Sequence, residues 1–256
     1  MRRKRSSFGR LRPFWIVGVV VAGLGAWGGA VAVNLPEFHL QSLAVTGLSR
    51  VARSDVVRRA AIDPRANVWL LDPRAIAARI EAIPYVATVR IHRRPLANVW
   101  IDVTERTPDA CVRDSRGHES TIDRALRVVE AGCSRRDLVV FALQAPLAAT
   151  PGAFVNDPEL TDLESDARVL SPDTGRFGAF AHDRYGELDA TLRDGIEVKF
   201  GDDADLDRKQ RLVGPILAEL GERATQVEAV DVRAPATPVV EFRAPRGPPS
   251  TSPHSL

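Results

Sequence analysis

The chain has 256 residues, 45% of them hydrophobic and 27% charged. That balance suits one large or two small packed domains and excludes general disorder. The net charge of +2 is uneven: Arg2, Arg3, Lys4, Arg5, Arg10 and Arg12 fall in the first thirteen residues with no acid, leaving residues 14–256 with 29 bases against 33 acids. A mildly acidic remainder has no basic stripe to neutralise phosphates, which argues against nucleic-acid binding.

From Phe14 to Val33 the sequence runs twenty residues without a charge. As a helix at about 1.5 Å per residue it matches a hydrocarbon core of about 30 Å. The basic cluster before it, residues 1–13, places the N-terminus in the cytoplasm and the bulk of the chain outside. Ala30-Val31-Ala32 has the small-x-small form of a signal-peptide cleavage site. Signal peptides, however, carry shorter apolar runs of about 7 to 15 residues, so the segment is read as an uncleaved anchor. The two cysteines, Cys111 and Cys133, lie on the oxidising side under either reading. A disulfide and a pair of buried thiols are both open.

Beyond the linker, His39 to Thr46 alternates as a half-buried strand and stops at Gly47. Ser54, as a hydroxyl N-cap, opens a short helix through Ala61. Asp72-Pro73 opens a second, with Ile76, Ile80 and Ile83 at helical spacing until Pro84. Ala87, Val89 and Ile91, then Val99, Ile101 and Val103, alternate on either side of a turn at Arg93-Arg94-Pro95, as in a hairpin with one apolar face. This order predicts a small α+β domain over 38–107, with two helices on one face of a three-stranded sheet.

These residues resemble the POTRA domain of the FtsQ/DivIB family of bacterial cell-division proteins. The resemblance is carried by Val45-Thr46-Gly47, Asn67-Val68-Trp69-Leu70-Leu71-Asp72, Ile83-Pro84-Tyr85-Val86, Arg93-Arg94-Pro95 and Glu105-Arg106-Thr107-Pro108-Asp109-Ala110. It resumes at the strand Gly195 to Gly201, the helix Leu206 to Leu220 with Lys209, the strand Val230-Asp231-Val232-Arg233 and a last strand Val239-Val240-Glu241-Phe242-Arg243. It implies a second, mostly antiparallel β domain with one long helix over 108–243. In the hairpin Ile122 to Val129, Leu126 stands where family members usually have a turn glycine. Residues 141–185 match poorly, and Pro146 to Gly175 reads as a loop. The tail 244–256, rich in proline and serine, is expected to be disordered.

No residue set carries chemistry. The five histidines are scattered, no Cys-x-x-Cys exists, and neither a Gly-x-Ser-x-Gly elbow nor a phosphate loop occurs. Gly23-Leu24-Gly25-Ala26-Trp27-Gly28 fits a dinucleotide pattern but lies within the apolar helix. Gly25-x-x-x-Gly29 offers a small-residue face for helix pairing. The acidic run Asp202-Asp203-Ala204-Asp205 lacks the alternating ligands of a calcium loop, and Asp205 is better read as a helix N-cap. No cofactor, metal or small-molecule substrate is expected.

What remains is a mechanism of surfaces. If Val239 to Phe242 edges the second sheet, its free backbone groups can accept a partner strand. The resemblance implies partners of the FtsB and FtsL type and a non-catalytic scaffold at the division septum. Arg233 is the contact residue carried over from the family; the alternative for it is an ordinary surface ion pair. A POTRA-bearing envelope transport or assembly factor is the competing reading, but it would need repeats or a barrel that the sequence lacks.

Overall fold

The computed structural model describes residues 12–33, 35–94, 97–170 and 176–243, with side chains from 17 to 29 in the first of these. Pro95, residues 1–11 and the tail from 244 lie outside the described residues. The apolar run forms one helix, α1 (Arg12–Val33), which starts two residues earlier than the sequence suggests. Val17, Val19, Val20, Val21, Leu24 and Trp27 are all exposed along it. The side chains described within it cover only 17 to 29, and among the described residues no helix is long and apolar enough to cross a membrane. The chain after it divides into two compact units between Glu105 and Arg106.

The first unit has β1 (Ser42–Thr46), α2 (Arg53–Ala60), α3 (Pro73–Glu81), β2 (Val86–Arg94) and β3 (Asn98–Glu105). The sheet order is β1-β3-β2, with β1 parallel and β2 antiparallel to β3. Val56 and Ala60 of α2 and Ile76 and Ile80 of α3 pack with Val86, Val89, Val99, Ile101 and Val103 into one buried cluster. Asp72 caps α3 as its sequence predicts, accepting from the Arg74 and Ala75 amides. Ser54 does not cap α2: the helix begins at Arg53, and the methyl group of the N-cap Ala52 cannot accept a capping hydrogen bond. The expected turn at Arg93-Arg94 is also corrected, since β2 runs on through both, pairing Arg93 with Val99 and Arg94 with Asn98.

Two motif residues fix this unit's joints. Gly47 has φ of +81°, and a Cβ there would sit 1.9 Å from the Val103 carbonyl oxygen, so only glycine lets the chain leave β1 against β3. Glu105 accepts from the amides of Ser49, Arg50 and Val51 and from the Ser49 hydroxyl. Burial alone would push its carboxyl up, but these donors outweigh it and hold the pKa at about 2. Pro84 lies between α3 and β2, and the Arg94 guanidinium stacks 4.3 Å over the Trp100 ring.

The second unit is a nine-stranded sheet: β4 (Pro108–Arg113), β5 (Glu119–Asp123), β6 (Val128–Ala131), β7 (Val139–Ala142), β8 (Phe177–His182), β9 (Leu188–Leu192), β10 (Glu197–Gly201), β11 (Val227–Asp231) and β12 (Val239–Phe242). Their order is β12-β11-β10-β9-β8-β7-β4-β5-β6. Most pairs are antiparallel, but β4–β7, β7–β8 and β10–β11 are parallel. Parallel neighbours need a crossover: α4 (Pro158–Val169) supplies it between β7 and β8 and α5 (Leu206–Leu220) between β10 and β11, while β5 and β6 lie between β4 and β7 in the chain.

The helix α4 overturns both the single-helix expectation and the reading of 146–175 as a loop. Asp157 caps it, Pro158 opens it, and Leu160, Leu163, Ala167 and Leu170 are buried in the main core. That stripe is short and diluted by Asp, Glu, Ser and Thr, which hides it in composition. The same core holds Phe177, Phe180 and Phe200, with ring centroids 5.1 and 6.1 Å apart along the chain of contacts. Asp205 sits at the N-cap position of α5, but its side chain makes no capping bond; its carbonyl accepts from Arg208 and Lys209 instead. Lys209 is buried, with Nζ donating to the Asp202 carbonyl at 2.9 Å and its carboxylate at 2.6 Å.

Candidate functional site: an open sheet edge

The two ends of the large sheet are finished differently. At one end, the Val128 amide of β6 donates to the Ala153 carbonyl and the Gly152 amide donates to the Val128 carbonyl. The Val155 amide reaches Leu126, and Arg127 stacks over Phe154. The hairpin before β6 turns through Leu126, whose φ of +56° takes the conformation a glycine would favour. Cys111 of β4 and Cys133 just past β6 form a disulfide, with Cα atoms 5.9 Å apart. That end is covered by a loop and stapled.

At the other end stands β12, which pairs along one side with β11. Among the described residues no strand pairs with its outer side. Val239 and Phe242 are exposed, at 55% and 40%, while Val240 packs partly onto the core. Glu241 is held from across the sheet: Lys199 of β10 reaches it at 3.2 and 3.3 Å, over the small buried Ala229 of β11. The Glu241 carboxylate raises the lysine's pKa. Phe242 lies under the Arg223 guanidinium, 5.0 Å from its ring centre. The strand is thus held through its side chains, and among the described residues no strand pairs along its outer backbone edge.

Arg233, just past β11, bonds the Asp231 carboxylate at 2.6 Å and reaches Glu187 at 3.4 Å. Its hydrogen bond holds the Asp231 carboxyl below the ordinary range. Its stem packs on Gly201, where φ is +75° and a Cβ would stand 2.8 Å from the arginine Cγ. The guanidinium is therefore engaged within the chain, although the side chain remains half exposed. On the same face, Asp189 pairs across strands with Lys199. Burial, followed by the charges of Glu197 and Asp183, pushes its carboxyl up to about 6.

The site residues suggested by sequence fall into separate groups. Arg233, Asp231, Val239, Val240, Glu241 and Phe242 gather at the open edge. Lys209 secures the start of α5. Arg106 forms a 2.6 Å ion pair with Asp123, and Pro108 opens β4, where a missing amide costs least. Gly47, Pro84, Arg94 and Glu105 belong to the first unit and serve its local geometry. Sequence reasoning missed Lys199, Glu187, Asp189 and Gly201. The alternation Glu197-Val198-Lys199-Phe200 was the available signal, since it sets Lys199 opposite the core face. Among the described residues no group of His, Cys, Asp and Glu is placed to hold a metal.

Comparison with known proteins agrees with this architecture. The family described as POTRA domain, FtsQ-type, matches residues 38–106. The chain is 34% identical over 104 residues to the cell division protein FtsQ of Myxococcus fulvus, covering 39% of this chain and 37% of that one. It is 26% identical over 244 residues to the Syntrophotalea carbinolica protein of the same name, covering 89% and 82%. With the Mycobacterium bovis FtsQ it shares 25% over 229 residues, covering 87% and 67%. The first domain is therefore of the FtsQ-type POTRA family, and the chain is similar over most of its length to bacterial proteins named cell division protein FtsQ.

Proposed function

We propose that this chain is a non-catalytic scaffold of the division septum, acting through its extracytoplasmic domains to hold membrane proteins of the FtsB and FtsL type and so to coordinate septal wall synthesis. The apolar helix α1 anchors it as a single span with the basic tail in the cytoplasm, supported by the charge-free run from Phe14 to Val33 and the basic residues before it. The observation that carries the reading is the outer side of β12, a row of backbone donors and acceptors ready to take an added strand. Val239 and Glu241 on one face, with Val240 and Phe242 on the other, then supply alternate contacts that select the partner. Arg233 contributes a neighbouring charge, steadied by Asp231 and Glu187.

The test is capture from gently solubilised native membranes by protein tagged at its N-terminus. Partners of the FtsB and FtsL type should co-purify, and removal of residues 236–243 or the change Phe242→Asp should abolish their recovery. Phe242 is exposed enough that the fold should survive, with an unchanged circular dichroism spectrum. Undiminished capture by Phe242→Asp would refute docking at this edge. Recovery of outer-envelope or transport components alone would favour a transport or assembly role.

A further inference from the structure

The first unit carries an exposed feature that its fold does not explain. Trp69 is 48% exposed, Leu70 67% and Trp100 37%, although Val68 between the neighbouring residues is fully buried. Each tryptophan is matched by an arginine. The Arg93 guanidinium lies 5.9 Å from the Trp69 ring centre and donates to the Trp69 carbonyl at 2.9 Å, while Arg94 lies 4.3 Å over Trp100. Both arginines are exposed at the end of β2, on opposite faces of the sheet. The result is one pole with two indoles, two cations and a bare leucine.

Connectivity fixes where this pole must be. His39 bridges Asn67, whose side chain accepts from the Trp69 amide and caps the turn Val68–Leu70. The Gln41 amide donates to the Ala97 carbonyl, beside the tip of the β2–β3 hairpin. The chain therefore enters the unit at this pole. Only five residues lie between Val33, the end of α1, and His39, and the six steps at 3.3–3.6 Å each reach about 22 Å at most. The turn Pro36–Phe38 shortens that reach.

We infer that this pole of the POTRA unit lies on the outer leaflet of the membrane, with Trp69, Leu70 and Trp100 at headgroup depth and Arg93 and Arg94 on anionic lipid headgroups. The inference rests on the proposal that α1 spans the bilayer. Tryptophan favours the interface because its ring is apolar and its N–H needs a partner. Arginine adds attraction to anionic lipid, and an exposed leucine adds apolar area that water does not favour. Docking of this kind would fix the first unit against the membrane surface.

The experiment uses the full chain with Trp15→Phe and Trp27→Phe, so that only Trp69 and Trp100 emit, reconstituted in nanodiscs carrying a headgroup nitroxide lipid. Quenching should be at least twofold stronger in discs with about a third anionic phospholipid than in zwitterionic discs, and should weaken with added salt. Arg94→Ser should lower the ratio of docked to undocked protein about fivefold, the factor expected for one basic residue at an anionic surface. Leu70→Asp, at a site too exposed to threaten the fold, should abolish the quenching. Tryptophans that stay fully open to acrylamide and unquenched by lipid would overturn the inference. So would protection that appears only when co-purified division proteins are present, which would assign the pole to a protein partner. Failure of the chain to enter discs at all would instead refute the membrane span on which the inference depends.

Discussion

The two edges of the nine-stranded sheet pose the same physical problem and receive opposite solutions. Beside β6, the backbone of residues 152–155 takes up the amide and carbonyl of Val128 and the carbonyl of Leu126, Arg127 lies over the Phe154 ring, and a disulfide ties β4 to Cys133 just past the strand. Beside β12 the described residues offer no such cover, although an exposed edge with apolar side chains is a hazard for aggregation. That contrast is what supports the proposal that β12 receives a partner strand, with the ion pairs of Lys199 with Glu241 and of Asp231 with Arg233 beside it.

Three perturbations would break or sharpen this contrast. The largest is at the stapled end: Cys111→Ser with Cys133→Ser should cost about 3 kcal/mol, the chain-entropy value for a loop of this size. Urea unfolding of oxidised and variant protein checks it, and equal midpoints would mean that the staple adds nothing to the covered edge. Next is the cover itself. Val155 is 9% exposed and packs into the core, so Val155→Ala should lose about 2 kcal/mol. Amide exchange at Val128, whose N–H donates to Ala153, should quicken more than exchange in β9. A uniform change over the sheet would show that the loop is no separate cover.

The smallest lies on the charged face near the open edge. The Asp189 carboxyl is raised from its ordinary range to about 6, so the folded state favours its protonated form. Its ionisation therefore costs stability progressively as pH rises from about 4 to 6, and that cost is fully present at neutral pH. Asp189→Asn should stabilise the protein by about 1 kcal/mol at pH 7.5, an amount reduced for solvent screening, and by almost nothing below pH 4. A gain independent of pH in thermal melts would assign the effect to packing instead of charge.

Much of this was readable in the residues. In the first unit the alternation of Val99, Ile101 and Val103, the Asp72-Pro73 helix start and the stop at Gly47 each act through near neighbours, so short-range patterns found them. The misses have local causes as well. Ser54 is a good capping residue two positions too late, and Arg93-Arg94 reads as a turn because the charges there resemble loop composition, while the β3 ladder holds them extended. In the second unit the helix α4 went unread because its four buried positions are outnumbered by polar ones, and only packing against Phe180 and its neighbours makes them a core. Leu126 holds a left-handed turn because Asp123 gathers the Ala125 and Arg127 amides around it.

By itself the sequence determined the charge-free run after a basic tail, the β-α-α-β-β order of the first domain, the strands and long helix of the second, and the family likeness, because periodicity, caps and turn residues are properties of neighbours in the chain. Only the tertiary structure decided the order of the nine strands, the pairing of Cys111 with Cys133, the reach of Lys199 over Ala229 to Glu241, and which sheet edge is covered and which is open. Those depend on contacts between residues tens of positions apart, whose partners no local pattern names and which packing of the common core selects.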